Sequence, residues 1–177
     1  MYYTDLTILP TSDFSDALLM STVVQKLHPY FASTNGVIGV SFPLISETGL
    51  GTILRLQSED DQALHSMPEI DFVKSNAVGS VPDDVTPMRV RRVQFKSSVT
   101  RLARRYAARH DVSIEEALKH YSDFDEQRTT LPYITLSSAS TGQQFRLFVS
   151  AELADESIAG RFTSYGLSQD GSTVMHF

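Results

Sequence analysis

Apolar positions in the first half of the chain follow strand spacing and then the spacing of one long helix. Tyr2–Leu9 is rich in β-branched and aromatic residues and predicts a strand. Phe14–His28 carries apolar residues every three to four positions, which predicts an amphipathic helix. Pro29 predicts that this helix kinks or ends at His28. The later segments predict a strand over Gly36–Phe42, its hairpin partner over Thr52–Leu56 and a short helix over Asp60–Ser66. The pattern over Asp71–Ala77 does not distinguish between helix and strand. This β-α-β-β-(α) order is half or more of a ferredoxin-like unit.

The second half begins after Gly79–Pro87, whose prolines, aspartates and glycine predict a linker. Met88–Lys96 alternates and predicts a strand, and Val99–Arg109 predicts a helix that Ser97 or Ser98 can cap. A second helix is expected to start at Ser113, where Ser113-Ile-Glu-Glu forms a capping box. Further strands are predicted over Tyr133–Leu136, Phe145–Val149, Phe162–Gly166 and Thr173–Phe177.

Composition excludes several kinds of protein and site. The 177 residues are 41% hydrophobic and 20% charged, which is typical of a globular protein. Cysteine is absent, so disulfides and thiolate metal sites are excluded, as suits a reducing cytoplasm. The five histidines form no HxxxH or HxH pair, and neither GxGxxG nor GxxxxGK[ST] occurs. The N-terminus lacks the basic start of a signal peptide, and no apolar run approaches 18 residues. We therefore expect a cytoplasmic protein with no metal, cofactor or membrane span.

The charge is unevenly distributed along the chain. Its net charge is −6, yet Met88–His110 contains eight of the 15 Lys and Arg residues and no acidic residue. A focused positive field on an acidic body suits a polyanion bound in one orientation. A solvated basic helix is the alternative interpretation of this run.

The predicted helix in this run presents arginines on one side. Arg101, Arg104, Arg105 and Arg109 would cover about 140° of the helix surface, where their guanidinium groups could bind phosphates bidentately. Before the helix, Arg92 and Gln94 would share one side of a strand. Because arginine pairs with guanine and glutamine with adenine, Arg-x-Gln is a possible base reader, or simply part of a strand surface.

Two features outside this run could carry chemistry. The segment from Ser137 to Phe148 combines a turn rich in hydroxyls with Phe145, and so could bind a phosphate beside a stacked base. A polar hairpin turn with core phenylalanines is the alternative. His28 lies at the end of an apolar helix and could transfer protons. RNA supplies its own 2′-OH nucleophile, so histidine, serine and arginine together could promote cleavage.

Several short motifs, in order along nearly the whole chain, resemble the CRISPR repeat-processing endoribonucleases of the type I-F (Csy) system. The motifs that carry the resemblance are Lys26-Leu-His28, Ile38-Gly-Val-Ser-Phe-Pro43, Arg92-Val-Gln94-x-Lys96-Ser97, the Arg101–Arg109 helix, Arg109-His-Asp111, Leu131-Pro132, Ser140-Thr-Gly-Gln143-x-Phe145-Arg-Leu-Phe148 and Phe162-Thr-x-Tyr165-Gly-Leu-Ser168. Two departures from the family pattern are Pro29 after the histidine and Ala108 in place of an arginine.

The resemblance implies an α+β fold of two domains. An N-terminal ferredoxin-like domain over residues 1–85 would carry the catalytic histidine. A smaller C-terminal α/β domain over residues 86–177 would carry the arginine-rich helix and the hydroxyl-rich turn, and would bind RNA.

The resemblance also implies metal-independent cleavage of precursor CRISPR RNA at the base of the repeat hairpin by 2′-OH attack. In the mechanism that the resemblance implies, His28 transfers protons, Ser138 positions the 2′-OH and Tyr165 orients the histidine. The RNA contacts it implies are base reading by Arg92 and Gln94, stacking by Phe145, support of the scissile region by Ser140, and phosphate or groove binding by Arg104, Arg105 and Arg109 with help from Arg101. The enzyme would stay on its product, the mature guide RNA, within a multisubunit surveillance complex.

Three hypotheses remain open from the sequence. The first is this endoribonuclease, and the second is a non-catalytic subunit that only binds the RNA hairpin. The third is a small-molecule enzyme of ferredoxin-like fold, which would have no tight affinity for RNA. Loss of cleavage without loss of binding on removal of His28 separates the first from the second.

Overall fold

Two antiparallel sheets and four helices make up the chain in this computed structural model, which describes residues 1–95, 98–122, 129–138 and 141–177. The helices are α1 (Asp16–Ser33), α2 (Asp61–His65), α3 (Val99–His110) and α4 (Ile114–His120). The strands are β1 (Tyr2–Ile8), β2 (Gly39–Ser41), β3 (Ile53–Ser58), β4 (Val73–Ser75), β5 (Gly79–Ser80), β6 (Thr86–Val93), β7 (Tyr133–Ser137), β8 (Gln144–Leu153) and β9 (Val174–His176). The fold is therefore α+β, as predicted.

The first sheet holds the N-terminal elements. Its strand order is β2-β3-β1-β4. Strand β5 also pairs directly with β1, at Tyr2 and Tyr3, and every pair is antiparallel. The predicted hairpin of β2 and β3 is confirmed by the pairing of Val40 with Leu56. The apolar face of α1, including Val23, Leu27 and Phe31, is buried in the main core.

The second sheet has the strand order β7-β8-β6-β9, again antiparallel throughout. Its inward side chains, among them Val90, Ile134 and Leu147, join the same buried core as α1. Both sheets belong to one compact unit, formed by residues 1–93 and 131–177. Residues 94–130 form the other unit, in which α3 and α4 pack through Ala103, Ala107 and Ala117. The predicted domain boundary between residues 85 and 86 stays a prediction.

The helix α1 continues past Pro29 to Ser33, so the alternative that it ends at His28 is wrong. A proline inside a helix costs about 3 kcal/mol. Phe31 is only 1% exposed and the Tyr30 hydroxyl donates to the carbonyl of Ala63 at 2.6 Å. Burial of the Phe31 ring and this tertiary hydrogen bond compensate for the missing amide.

Three other segments differ from expectation. The segment 79–87 is not a free linker, because Gly79 pairs with Tyr3 and β6 starts at Thr86. Residues 162–166 form no strand, because Phe162 pairs with Ser168 only in an isolated bridge and a turn follows it. The strand β6 ends at Val93, so Gln94 does not share a strand face with Arg92. None of the helices in the described ranges has the length and apolarity needed to span a bilayer.

Candidate active site and nucleic-acid interface

His28 is held by two contacts with one turn near the end of the chain. Its Nδ1 lies 2.7 Å from the carbonyl oxygen of Ser164, and its ring stacks on Tyr165 with centroids 4.2 Å apart and planes 11° apart. A carbonyl oxygen can only accept, so Nδ1 carries the proton and donates. In the neutral imidazole, Nε2 therefore holds the lone pair. Nε2 is therefore the ring nitrogen of this half-buried histidine that could take up a proton.

The turn that holds His28 is organised by the hydroxyl of Thr163. This oxygen accepts from the amides of Tyr165, at 3.3 Å, and Leu167, at 3.2 Å. The amide of Gly166 donates to the carbonyl of Thr163 at 2.8 Å, which closes the turn. One side chain thus fixes the backbone on both sides of the stacked tyrosine.

Two strands anchor this turn. Val40 of β2 donates its amide to the carbonyl of Gly166 at 2.8 Å. Ser168 and Val90 of β6 exchange two hydrogen bonds, from Ser168 N to Val90 O at 2.7 Å and from Val90 N to Ser168 Oγ at 3.0 Å. The turn is therefore attached to both sheets.

Glycine is required at position 166 for two reasons. Its φ of +71° is in the left-handed region, and a Cβ there would lie 2.4 Å from Cγ1 of Val40. A side chain would strain the turn and push it away from β2. The position of Tyr165 depends on this close approach.

Ser138 lies at the base of the hydroxyl-rich turn between β7 and β8. Its amide donates to the carbonyl of Gln143 at 2.9 Å, and its carbonyl accepts from the amide of Gly142 at 2.8 Å. The preceding residue, Ser137, donates its amide to Oε1 of Gln25 on α1 at 2.8 Å. Gln25 on α1 therefore contacts the residue before Ser138, and His28 lies about one helical turn further along α1. Ser140, also predicted to contact RNA, lies outside the described residues.

Arg92 and Phe145 lie close together at one end of the second sheet. The Cζ of Arg92, which is exposed, lies 5.9 Å from the centroid of the Phe145 ring. Phe145 is half-buried and packs against the core. A guanidinium beside a partly exposed ring could contact both the edge and the face of a nucleic-acid base. Gln94 is exposed but lies beyond β6, in the other compact unit.

Helix α3 presents the predicted arginine face to solvent. The exposed members are Arg101, Arg104, Arg105 and Arg109. Within the described part of the chain, no ion pair involves any of them. The opposite face uses small residues, Ala103 and Ala107, to pack on α4. These arginines are therefore not needed to pair internal acids, and their field is directed outward.

The rings beside this arginine face form a stack. Tyr106 lies 4.2 Å from the ring centroid of His110 on α3 and 4.4 Å from that of His120 on α4. Tyr121 meets Tyr106 edge-on at 6.0 Å. The stack fixes the α3–α4 hairpin, since the alanine contacts alone bury little surface.

Sequence reasoning missed the groups that position the predicted catalytic residues. The Ser164 contact uses a backbone carbonyl, which gives no side-chain signal. The partner of Gln25 lies 112 positions away in sequence, and Thr163 bonds amides two and four positions away in a segment that was predicted to be a strand. Among the described residues, no group of three or more acidic or histidine side chains could hold a metal ion.

Comparisons with known proteins identify the family of the chain. The family model described as CRISPR-associated protein (Cas_Csy4) matches residues 3–177. The chain is 41% identical to the CRISPR-associated endonuclease Cas6/Csy4 of Pseudomonas aeruginosa (strain UCBPP-PA14), with 96% of each chain covered. It is 35% identical to the protein of the same name from Escherichia coli (strain UTI89 / UPEC), over 94% of this chain and 95% of the relative. The chain therefore belongs to the CRISPR-associated Cas_Csy4 family of endonucleases.

Proposed function

We propose that this protein binds the hairpin of its CRISPR repeat and cleaves precursor CRISPR RNA at the base of the stem, without a metal ion. The observation that carries the proposal is the orientation of His28, whose Nδ1–H donates to Ser164 while its ring stacks on Tyr165. Family membership supports the class of reaction. The arginine face of α3 supports the class of substrate.

In the proposed reaction the 2′-oxygen attacks the adjacent phosphorus and the bond from phosphorus to the 5′-oxygen breaks. The products are a 2′,3′-cyclic phosphate and a 5′-hydroxyl, and the proton lost by the 2′-OH balances the proton gained by the 5′-oxygen. Nε2 of His28 handles one of these protons, and the hydroxyl of Ser138 holds the 2′-OH in line. Because the RNA supplies the nucleophile, no metal-bound hydroxide is needed.

RNA is bound by cations that form no ion pair within the described ranges of the chain. Arg101, Arg104, Arg105 and Arg109 bind the phosphates or the groove of the hairpin. Arg92 and Gln94 read bases, Phe145 stacks on the closing base pair and Ser140 supports the scissile region. The nearness of Arg92 to Phe145 supports a shared base-contacting surface.

We also propose that the N-terminal domain has a ferredoxin-like fold. The order β1-α1-β2-β3-α2-β4, with sheet order β2-β3-β1-β4, supports a ferredoxin-like N-terminal domain. The mature guide RNA stays bound after cleavage, and the protein joins other subunits of the type I-F surveillance complex in the prokaryotic cytoplasm.

The decisive experiment incubates the purified protein with its own repeat RNA in EDTA and resolves the products on a denaturing gel. Wild-type protein should cut once and leave a cyclic phosphate. His28→Ala should cut roughly 10²- to 10⁴-fold more slowly while its affinity for the RNA is largely retained. RNA with a 2′-deoxy residue upstream of the cut should bind but stay intact.

The alternative of a non-catalytic RNA-hairpin-binding subunit makes the opposite prediction for the wild-type protein. It requires the arginine face but not His28, so it predicts tight binding and no cleavage at any metal concentration. Cleavage of the 2′-deoxy RNA would rule out the proposed mechanism. The pH dependence of the cleavage rate shows which proton His28 transfers. If His28 is the general base for the 2′-OH, the rate falls as pH falls; if it is the general acid for the 5′-oxygen, the rate falls as pH rises.

A further inference from the structure

Helix α1 hydrogen-bonds the open edge of the second sheet through two side chains. Ser21 Oγ accepts from the amide of Thr135 at 3.1 Å, and Gln25 Oε1 accepts from the amide of Ser137 at 2.8 Å. Strand β7 is the edge strand, and its other side pairs with β8. The two side chains therefore take the place that a further strand would occupy. We call these two bonds the edge clamp.

The spacing of the two clamp side chains along α1 matches the spacing of the two amides along β7. Four helix residues advance about 6 Å and two strand residues advance about 6.6 Å, so Ser21 and Gln25 meet alternate amides of β7 without distortion. His28 lies on the same stripe of α1, since positions 21, 25 and 28 fall within about 60° of one another around the helix. The next turn of α1 thus carries the histidine past the end of β7, where Ser138 follows Ser137.

Stability alone gives little reason for the Gln25 bond. Ser137 is exposed, so its amide could donate to water at small cost. Ser21 differs, because it is 6% exposed and its hydroxyl also donates to the carbonyl of Ala17 at 2.8 Å. Together, the two bonds fix the spacing between α1 and β7.

We propose that Gln25, assisted by Ser21, is a positioning residue that sets the location of Ser138 relative to His28 for the cleavage step. The inference rests on the proposed function, because it assigns these residues to the same reaction. Neither side chain needs to touch the RNA. Both act through the backbone of β7, on the residue next to the catalytic hydroxyl.

The test measures single-turnover cleavage of the repeat RNA with protein in excess, and separately measures affinity for the uncleavable 2′-deoxy RNA. Gln25→Met keeps the length and helix preference of the side chain but removes the acceptor. We expect cleavage about 10- to 100-fold slower, as for a misplaced reacting group, with affinity within about twofold because the phosphate-binding arginines remain in place. Gln62→Met, the same change at an exposed position of α2, should match the wild type in both measurements.

Ser21 offers a matched pair of variants. Ser21→Thr and Ser21→Val add similar volume at the same buried position, but only threonine keeps the acceptor. Cleavage by the valine variant should be about 10-fold slower than by the threonine variant, while their midpoints of thermal unfolding and their RNA affinities stay close.

Failures of the two proposals are distinguishable. If wild-type protein cleaves but Gln25→Met is equally fast, or if rate and affinity fall together, the positioning role is wrong and the endonuclease proposal stands. Equal rates for the two Ser21 variants would also count against the clamp. If wild-type protein does not cleave, both the proposed function and this role are overturned.

Discussion

The imidazole of His28 and the phenol ring of Tyr165 lie face to face, 4.2 Å apart and almost parallel. The adjacent residue, Ser164, supplies the carbonyl that accepts from Nδ1. Consecutive residues therefore fix the plane of the imidazole and its tautomer. This separation of roles makes the contribution of the ring testable without touching the hydrogen bond.

Removal of the Tyr165 ring should slow cleavage. Tyr165→Ala loses the stacking surface, and we expect a rate at least about 10-fold lower because His28 can rotate out of its aligned geometry. Tyr165→Phe keeps the ring and should cleave within about threefold of wild type, since stacking does not depend on the hydroxyl. Single-turnover rates at saturating protein provide the measurement. A phenylalanine variant as slow as the alanine variant would assign the role to the hydroxyl instead.

Substitution of Gly166 should affect both stability and cleavage. Gly166→Ala places a methyl against Val40 in a left-handed backbone conformation, and we expect a loss of about 1–3 kcal/mol in the free energy of unfolding. Displacement of the turn should also slow cleavage. Gly171→Ala is the control, because φ is +91° there but the nearest atom, Cδ1 of Ile158, is 3.9 Å away. Urea unfolding and cleavage rates of the two variants separate backbone strain from the clash with β2.

The arginine face of α3 should make binding steeply dependent on salt. For each phosphate contact that is removed, the slope of log affinity against log salt should fall by about one. Arg105→Gln should therefore bind the 2′-deoxy repeat RNA more weakly and with a shallower slope. Lys119→Gln, an exposed cation on α4, should leave the slope unchanged. An unchanged slope for Arg105→Gln would mean that this face is only a solvated surface.

Glu152 should make a pH-dependent contribution to stability. Hydrogen bonds from Ser150, at 2.6 Å, and from Arg91, at 3.0 Å, lower the pKa of its carboxyl. A carboxyl with a lowered pKa in the folded state stabilises above its unfolded value of about 4.3, and this contribution disappears as pH falls through the folded value. Glu152→Gln should thus lower the free energy of unfolding at pH 7 by no more than about 1 kcal/mol, since the pair is half exposed, and should lower the unfolding temperature accordingly.

The difference between Glu152→Gln and the wild type should vanish in acid, as thermal unfolding between pH 7 and pH 3 can check. Glu156→Gln, at an exposed position, is the control and should show no such convergence. A constant difference at every pH would show that shape, rather than charge, accounts for the effect.

Local chemistry explains which elements could be predicted from the sequence. Ser98 accepts from the amide of Arg101 and Ser113 from that of Glu116, as the capping patterns predicted for α3 and α4. The arginine face of α3 followed from helical spacing alone. Such signals lie within four residues of one another, so a single sequence contains them in full.

Tertiary contacts explain what could not be predicted. Burial of Phe31 carries α1 past Pro29, and no local pattern gives the depth of that burial. The turn at Thr163 looked like a strand because its residues are aromatic and β-branched, yet its backbone bonds are directed to β2 and β6. The nearness of His28 to the turn was accessible only through the family resemblance. Gln25 gave no signal at all, since its partner is a backbone amide on a distant strand.

The contact between His28 and Ser164 joins residues 136 positions apart. The ribosome makes α1 early, whereas the turn that aligns the histidine emerges only after most of the chain has been synthesised. A nascent chain that has not reached Thr163 holds a histidine with neither its acceptor nor its stacking partner. The order of synthesis therefore places the alignment of His28 after every strand of the two sheets except β9 has been made.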